Sequence, residues 1–344
     1  MATKVNPAEA IGFGFYHFHP RWTVHYGEEI EKRYEEFEDV VKAGYTNCII
    51  VEKSYLNDDE FWRIIFENDC TVWLNIYDYF DSSKEEYKQW SREFDEALST
   101  LRLNPERWER FMGFHFDEPV WRGQSNEDFF TECKNLYEEY GKRIFPVFAT
   151  GEFMDSEGNA MQIKMDAAKM KKVIPEALKY VTDVGFDSYS VDVRFGFGNG
   201  DFIERNHQKI PEIVDGKSYY EELTSLLLRI VGHDVNVWFF PCSYTTGLWR
   251  GGKVDEDYCA AHLDFFCELL MKQKCQGGII TYTYKNNASK PEELGLASHF
   301  KVTDQNGNQK LFPDRANWEN YSECVKNAVK KFKETKAKTA KFNF

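Results

Sequence analysis

The stretch FMGFHFDEP (111–119) drives a run of apolar and aromatic residues into two adjacent carboxylates, Asp117 and Glu118, and then a proline. A strand that is apolar at nearly every position has no solvent face. It belongs in a sheet covered on both sides, as parallel sheets flanked by helices are. Aspartate and proline are ordinary strand terminators, so the two charges mark the end of this strand.

Working outward, the same pattern recurs. AIGFGFYHF (10–18) reads as a buried strand, and EEIEKRYEEFEDVVKAG (28–44) as a helix with Ile30, Tyr34, Phe37 and Val41 on one face, ended by Gly44. NCIIVE (47–52) and TVWLNIYDYF (71–80) are the second and third strands, followed by a short helix around 61–66 and a long one over 84–101. The quoted strand is the fourth, and its helix opens at Asn126 and buries Phe130, Cys133, Leu136 and Tyr137. RIFPVFAT (143–150), VGFDSYSV (184–191), VNVWFFPCSY (235–244) and GGIITYTY (277–284) complete the strands. Helices are expected over 218–231, 257–273 and 318–335, and Pro175 kinks or divides the helix after strand five. Eight strand-then-helix units in 344 residues predict an α/β fold, a single (β/α)8 TIM barrel occupying 1–344 as one domain. A doubly wound open sheet is the alternative, but no strand leads into GxGxxG and no Walker motif occurs.

Composition narrows the function. With 43 basic against 57 acidic residues the chain carries a formal charge of −14, which repels polyanions and argues against nucleic acid as a partner. No run of 18 apolar residues exists, so no membrane span is expected. MATKVNPAEA lacks the apolar stretch of a signal peptide. A cytoplasmic location is therefore expected, or a secreted one if a signal peptide has been removed. Eight cysteines form no CxxC and no pairing with histidine at metal-ligand spacing, so reduced core thiols are expected. Of the 29 Phe, 19 Tyr and 9 Trp, most are accounted for by a core, but so many Trp and Tyr also suit a cleft that stacks sugars.

In such barrels the chemistry sits where strands end and the following loops begin. Those positions hold His17, His19 and Trp22 after strand one, Glu52 after strand two and Asp78 after strand three. Asp117 and Glu118 follow on strand four, Glu152 after strand five, and Asp187 and Tyr189 on strand six. Tyr244 and Trp249 follow strand seven, and Tyr282 lies on strand eight. Carboxylates and aromatics thus share one rim with hardly a lysine or arginine, which fits a carbohydrate substrate. His17, His19, Asp78 and Glu118 could converge on an ion. An HxH pair on one strand face, however, more simply hydrogen-bonds a ligand or itself, so no metal and no cofactor are expected. Acids plus aromatic platforms suit glycoside cleavage, where a protonated acid releases the leaving oxygen and a second group stabilises an oxocarbenium-like centre. An adjacent Asp–Glu pair helps to keep one carboxyl protonated.

GFHFDEP resembles the catalytic fourth strand of barrel glycoside hydrolases. In the retaining clan of cellulases and β-galactosidases that strand ends in Asn-Glu, which would make Glu118 the acid/base. That clan also places a nucleophilic glutamate at the end of strand seven, where this chain has WFFPCSY (238–244). Hexosaminidases that use the substrate's own acetamide as nucleophile carry Asp-Glu on strand four and need no such glutamate. That resemblance implies Glu118 as general acid/base, Asp117 orienting the acetamido nitrogen, and Tyr189 or Tyr244 bonding the acetamide oxygen. The rivals are a conventional retaining or inverting pair of Glu118 with Glu52, Glu152 or Asp187; a non-catalytic carbohydrate-binding barrel using Trp22, Trp121 and Trp249; and a metal-dependent lyase or isomerase.

Overall fold

The apolar runs pair side by side in parallel. In a computed structural model of the chain, the strands are β1 (Gly12–Phe15), β2 (Cys48–Val51), β3 (Thr71–Ile76), β4 (Phe111–Asp117), β5 (Arg143–Phe148), β6 (Asp183–Asp187), β7 (Asn236–Phe240) and β8 (Gly278–Thr281). They form one eight-stranded sheet in the order β1-β8-β7-β6-β5-β4-β3-β2. The structure describes residues 10–16, 18–25, 28–31, 34–76, 85–117, 119, 126–148, 180–187, 221, 235–241, 246–249, 252–254, 256–272, 277–282, 302–303, 309–310 and 319–334.

The two ends of the sheet meet at a seam that side chains complete. Asn47, just before β2, accepts from the Phe13 N–H at 2.6 Å and donates to the Ile11 carbonyl at 3.0 Å. Its own N–H donates to the Phe13 carbonyl at 3.1 Å, and the Thr46 hydroxyl donates to the same oxygen at 2.8 Å. The edge of β1 is thereby satisfied, and the sheet closes into the (β/α)8 barrel that the count of units predicts.

Period-two alternation sorts each strand into an outer and an inner face. Outward phenylalanines meet the helices. Phe13 packs on Phe332 of α7 (Glu319–Glu334), and Phe114 on Phe94 of α3 (Glu85–Arg102), with centroids 6.4 and 5.9 Å apart. Phe116 meets Phe129 of α5 (Asn126–Tyr140) at 5.5 Å, and Phe239 meets Phe266 of α6 (Glu256–Lys272) at 5.0 Å. Burying each such ring contributes about 1.5–3 kcal/mol, so these helices are held to the barrel by its outer face.

Inward residues fill the barrel in layers. At the N-terminal end, Trp73, Phe145 and Trp238 come from three different strands and touch one another, with Phe145 stacked on Trp238 at 4.6 Å. Gly12 and Gly278 leave space for the Trp238 ring, since a Cβ on either would lie 2.4 Å from it. Beside these rings Asp183, fully buried, accepts from Arg143 Nε at 2.8 Å, Trp238 Nε1 at 2.8 Å and Thr182 Oγ1 at 2.7 Å, and also from Arg143 Nη2. The Arg143 guanidinium lies 5.0 Å over the Trp73 ring. This end of the barrel is a plug.

Helix limits follow local chemistry. Asp58 caps α2 (Asp59–Glu67) by accepting from Glu60 N–H at 3.0 Å and Phe61 N–H at 3.1 Å. Asn104 caps α4 (Pro105–Arg110) by accepting from Arg107 N–H at 3.1 Å, with Pro105 in the first turn where a missing N–H costs nothing. Gly44 ends α1 (Glu35–Lys42) as its residue type predicts, with φ 81°.

Two expectations need correction. The helix expected from residue 28 begins only at Glu35, because Glu28–Glu31 pairs antiparallel with Trp22–His25 as a hairpin. Ile30 fits the helical spacing by coincidence, and Tyr34, at φ 53°, separates strand from helix. On α5 the buried face is Phe129, Cys133 and Leu136; Phe130 is half-buried and Tyr137 exposed. A face centred on Phe129 meets Phe116, and this contact turns the helix by about one position from the one expected. The helix expected over 218–231, apart from Glu221, and the kink at Pro175 lie outside the described residues. Among the cysteines, Cys48, Cys70, Cys133, Cys259 and Cys267 are buried thiols and Cys324 is a half-buried one. No described helix is long and apolar enough to cross a membrane.

Candidate functional site

At the C-terminal rim the inward face of β4 presents Gly113, His115 and finally Asp117. His115 is fully buried; its Nδ1 lies 2.8 Å from Asn75 Oδ1 on β3, and its ring lies 5.0 Å from Phe145 and 6.3 Å from Phe240. One layer higher, Asp117 is 7 % exposed and accepts a hydrogen bond from the Tyr16 hydroxyl. A carboxylate this buried requires such a donor, since desolvating it unpaired would cost several kcal/mol.

Tyr16 follows directly on β1, and its N–H donates to the Thr281 carbonyl of β8 at 3.0 Å. Its ring lies 5.7 Å from that of Tyr282 and 6.4 Å from that of Phe240. Tyr282 is itself buried, and its N–H donates to the Pro241 carbonyl at 2.9 Å. The ends of β1, β7 and β8 are thus tied together beneath an aromatic cluster, and the Tyr16 phenol carries a polar bond from that cluster across the barrel mouth to Asp117.

Hairpins build up the rim beside this cluster. Trp22–His25 with Glu28–Glu31 follows β1, Thr246–Trp249 with Gly252–Val254 follows β7, and Val302–Thr303 with Gln309–Lys310 follows β8. The strand Val302–Thr303 lies against Trp22–His25, which joins the loops after β8 and β1. Trp22 opens its strand 36 % exposed, with its N–H on the His19 carbonyl at 2.9 Å, and His19 is half-buried. Glu52 is exposed just past β2, and its carbonyl accepts from the Tyr55 N–H at 3.2 Å. Arg21 is a basic residue on this side, with its guanidinium 5.0 Å over the Tyr55 ring and 3.6 Å from Asp58.

Of the expected site residues, the structure brings Asp117 and Tyr282 into one cluster through Tyr16. Asp187 ends β6, paired with Phe240, and Trp249 ends its hairpin strand beside the turn. His17, Asp78, Glu118, Trp121, Glu152, Tyr189 and Tyr244 lie outside the described residues. Among the described residues no three His, Cys, Asp or Glu side chains gather to hold a metal ion. Sequence reasoning missed Tyr16, Asn75 and His115. It placed Tyr16 inside a strand running to residue 18 and looked for the site at His17 and His19. The signal was GFGFY (12–16), where glycines at alternate positions prepare an inward face that Tyr16 completes.

The sequence matches no protein-family model and no curated protein. Solved structures do resemble it. A Bacteroides thetaiotaomicron protein provisionally assigned as an alpha-L-fucosidase superposes with a TM-score of 0.52 at 10 % identity, covering 97 % of each chain. A family 1 β-glucosidase from Thermotoga maritima gives a TM-score of 0.51 at 12 % identity, covering 95 % of this chain and 99 % of that one. At such identities the likeness is one of fold.

Proposed function

We propose that the protein is a glycoside hydrolase whose reaction is carried by Asp117 and Glu118 at the end of β4. The observation that carries this reading is the placement of Asp117: inward, at the C-terminal rim, buried, and hydrogen-bonded within a tyrosine-rich cluster. Barrel enzymes keep their chemistry at that end, and an aromatic floor with acids and few cations suits a neutral sugar better than a phosphorylated one. Two proteins of similar fold, one provisionally assigned as a fucosidase and the other a β-glucosidase, agree with this class. Glu118 is assigned as general acid/base, and Trp22, Tyr282, His19 and Glu52 as the sugar-facing rim, together with the other rim residues named from the sequence.

A substrate-assisted mechanism on an N-acetylated hexosamine is the preferred form. The described end of β7 supports it. Phe240 and Pro241 stand there, with no acid to serve as a nucleophile. With the substrate's acetamide as nucleophile, Asp117 orients the amide and Glu118 protonates the leaving oxygen, then deprotonates water. The rival is an ordinary pair of Glu118 with Glu52, Glu152 or Asp187, whose carboxylate separation would be about 5 Å for retention or roughly 6.5–9.5 Å for inversion.

A panel of 4-nitrophenyl glycosides, N-acetylated and plain, tests both levels. Turnover of N-acetyl-hexosaminides supports the acetamide mechanism, and turnover of plain sugars alone eliminates it. Glu118→Gln is expected to lower kcat by at least about 10³-fold while sugar still binds. Unchanged turnover in that variant removes Glu118 from the mechanism, and an inactive wild type that binds sugar identifies a binding barrel.

A further inference from the structure

We infer that Tyr16 is a positioning residue for the Asp117–Glu118 pair, an inference that rests on the glycoside hydrolase reading. Asp117 is the last residue of β4, paired with Val147 at the point where the backbone ladder stops restraining it. Its side chain could turn about two bonds, yet orienting a substrate amide needs one carboxylate oxygen held in place. The Tyr16 hydroxyl donates to Asp117 Oδ2 and fixes that oxygen. The donor follows directly on β1, and round the closed barrel β1 and β4 are separated by β2 and β3 on one side and by β5 to β8 on the other. The bond therefore spans the barrel mouth and is no part of a neighbouring-strand ladder.

The tyrosine is itself immobilised. Tyr282 at 5.7 Å and Phe240 at 6.4 Å flank its ring, while its backbone N–H is bound to Thr281. Ring packing from β7 and β8 sets the phenol, and the phenol sets the carboxylate. Such outer partners matter because reacting groups must be held within a fraction of an ångström and a few tens of degrees of productive geometry. Tyr16 thus acts on the reaction through Asp117.

A double-mutant cycle tests this on whichever of 4-nitrophenyl N-acetyl-β-D-glucosaminide and 4-nitrophenyl β-D-glucoside the wild type hydrolyses. Tyr16→Phe removes one oxygen and keeps the ring. It is expected to lower kcat about 10- to 100-fold with KM changed less than about threefold, the scale known for hydrogen-bond partners that orient metal ligands. In an Asp117→Asn background the same change is expected to cost less than about threefold further, because the groups act as one unit. Tyr140→Phe, which removes a comparable phenol–carboxylate bond (to Asp95, 3.0 Å) outside the barrel, leaves kcat unchanged. Should Tyr16→Phe not fold, 4-aminophenylalanine and 4-fluorophenylalanine at position 16 replace it. The amine, which keeps a donor, is expected to retain at least about tenfold more activity than the fluoride. Full additivity with Asp117→Asn, an unchanged kcat, or equal rates for amine and fluoride overturns the inference. A wild type inactive on every glycoside overturns the glycosidase reading, and the inference falls with it.

Discussion

Asp183→Ala should destabilise the barrel without touching its chemistry. Asp183 is fully buried and accepts four hydrogen bonds, two from Arg143 and one each from Trp238 and Thr182. Alanine leaves the Trp238 N–H buried without an acceptor, which costs about 1–3 kcal/mol. It also strips the bidentate partner from Arg143, whose side chain is 24 % exposed and so recovers only part of its hydration. Removing one member of a buried ion pair typically costs about 3–5 kcal/mol, and the partial exposure of Arg143 places this case near 3–4 kcal/mol. Urea unfolding followed by far-UV circular dichroism measures the loss as a lower midpoint at unchanged slope. A second arm, Arg143→Met alone and with Asp183→Ala, gives a coupling energy expected above about 1.5 kcal/mol. Because the pair begins β5 and β6 at the end of the barrel opposite Asp117, kcat of the folded variant stays within about twofold of wild type. A loss below about 1 kcal/mol, or no coupling, would refute the argument that this network is a stability plug.

Three further outcomes follow from the structure. Asn47→Ala leaves the Phe13 N–H and Ile11 carbonyl at the barrel seam unsatisfied, so a loss of about 2–4 kcal/mol is expected by chemical denaturation. Gly113→Ala is expected to cost about 3 kcal/mol or more and to lower Tm sharply. Its φ is 151°, and a Cβ would sit 1.9 Å from the Arg143 carbonyl oxygen, which backbone cannot yield. Burial, and secondarily Asp95, push the Glu132 carboxyl on α5 up to about 7. A carboxyl with a raised folded value binds its proton more tightly in the native state. It therefore withdraws stability as pH rises from about 4.5 to 7. Glu132→Gln should accordingly gain about 1–2 kcal/mol at pH 8 and nothing at pH 4, as read from unfolding curves at the two pH values.

The readable part of the fold was the part written in neighbouring residues. Strand β4 is legible over 111–117 because its outward Phe114 and Phe116, which meet Phe94 and Phe129, alternate with residues that carry no charge until Asp117. Asp117 was located as a rim residue because a strand's end is visible in the chain. Where the local signal was shared, reading failed. Ile30 satisfied a helical period, but pairing with Trp22–His25 prevailed, and on α5 the choice of Phe129 over Phe130 depended on where Phe116 stood.

By itself, then, the sequence determined the eight buried strands, the alternation with helices that the described residues follow, and the carboxylate at which one of the strands ends. These follow from periodicity and burial, which act over a few residues. Only the tertiary structure decided which groups meet across the barrel. Tyr16 and Asp117 stand 101 residues apart, Asp183 and Trp238 55 apart, and Asn47 reaches back 36 residues to close the seam. Each of these contacts depends on the closure of the sheet, which sets neighbours by strand order and register and leaves no periodic trace in the chain. The polar partners that fix a buried carboxylate are therefore found only once the barrel has closed around it.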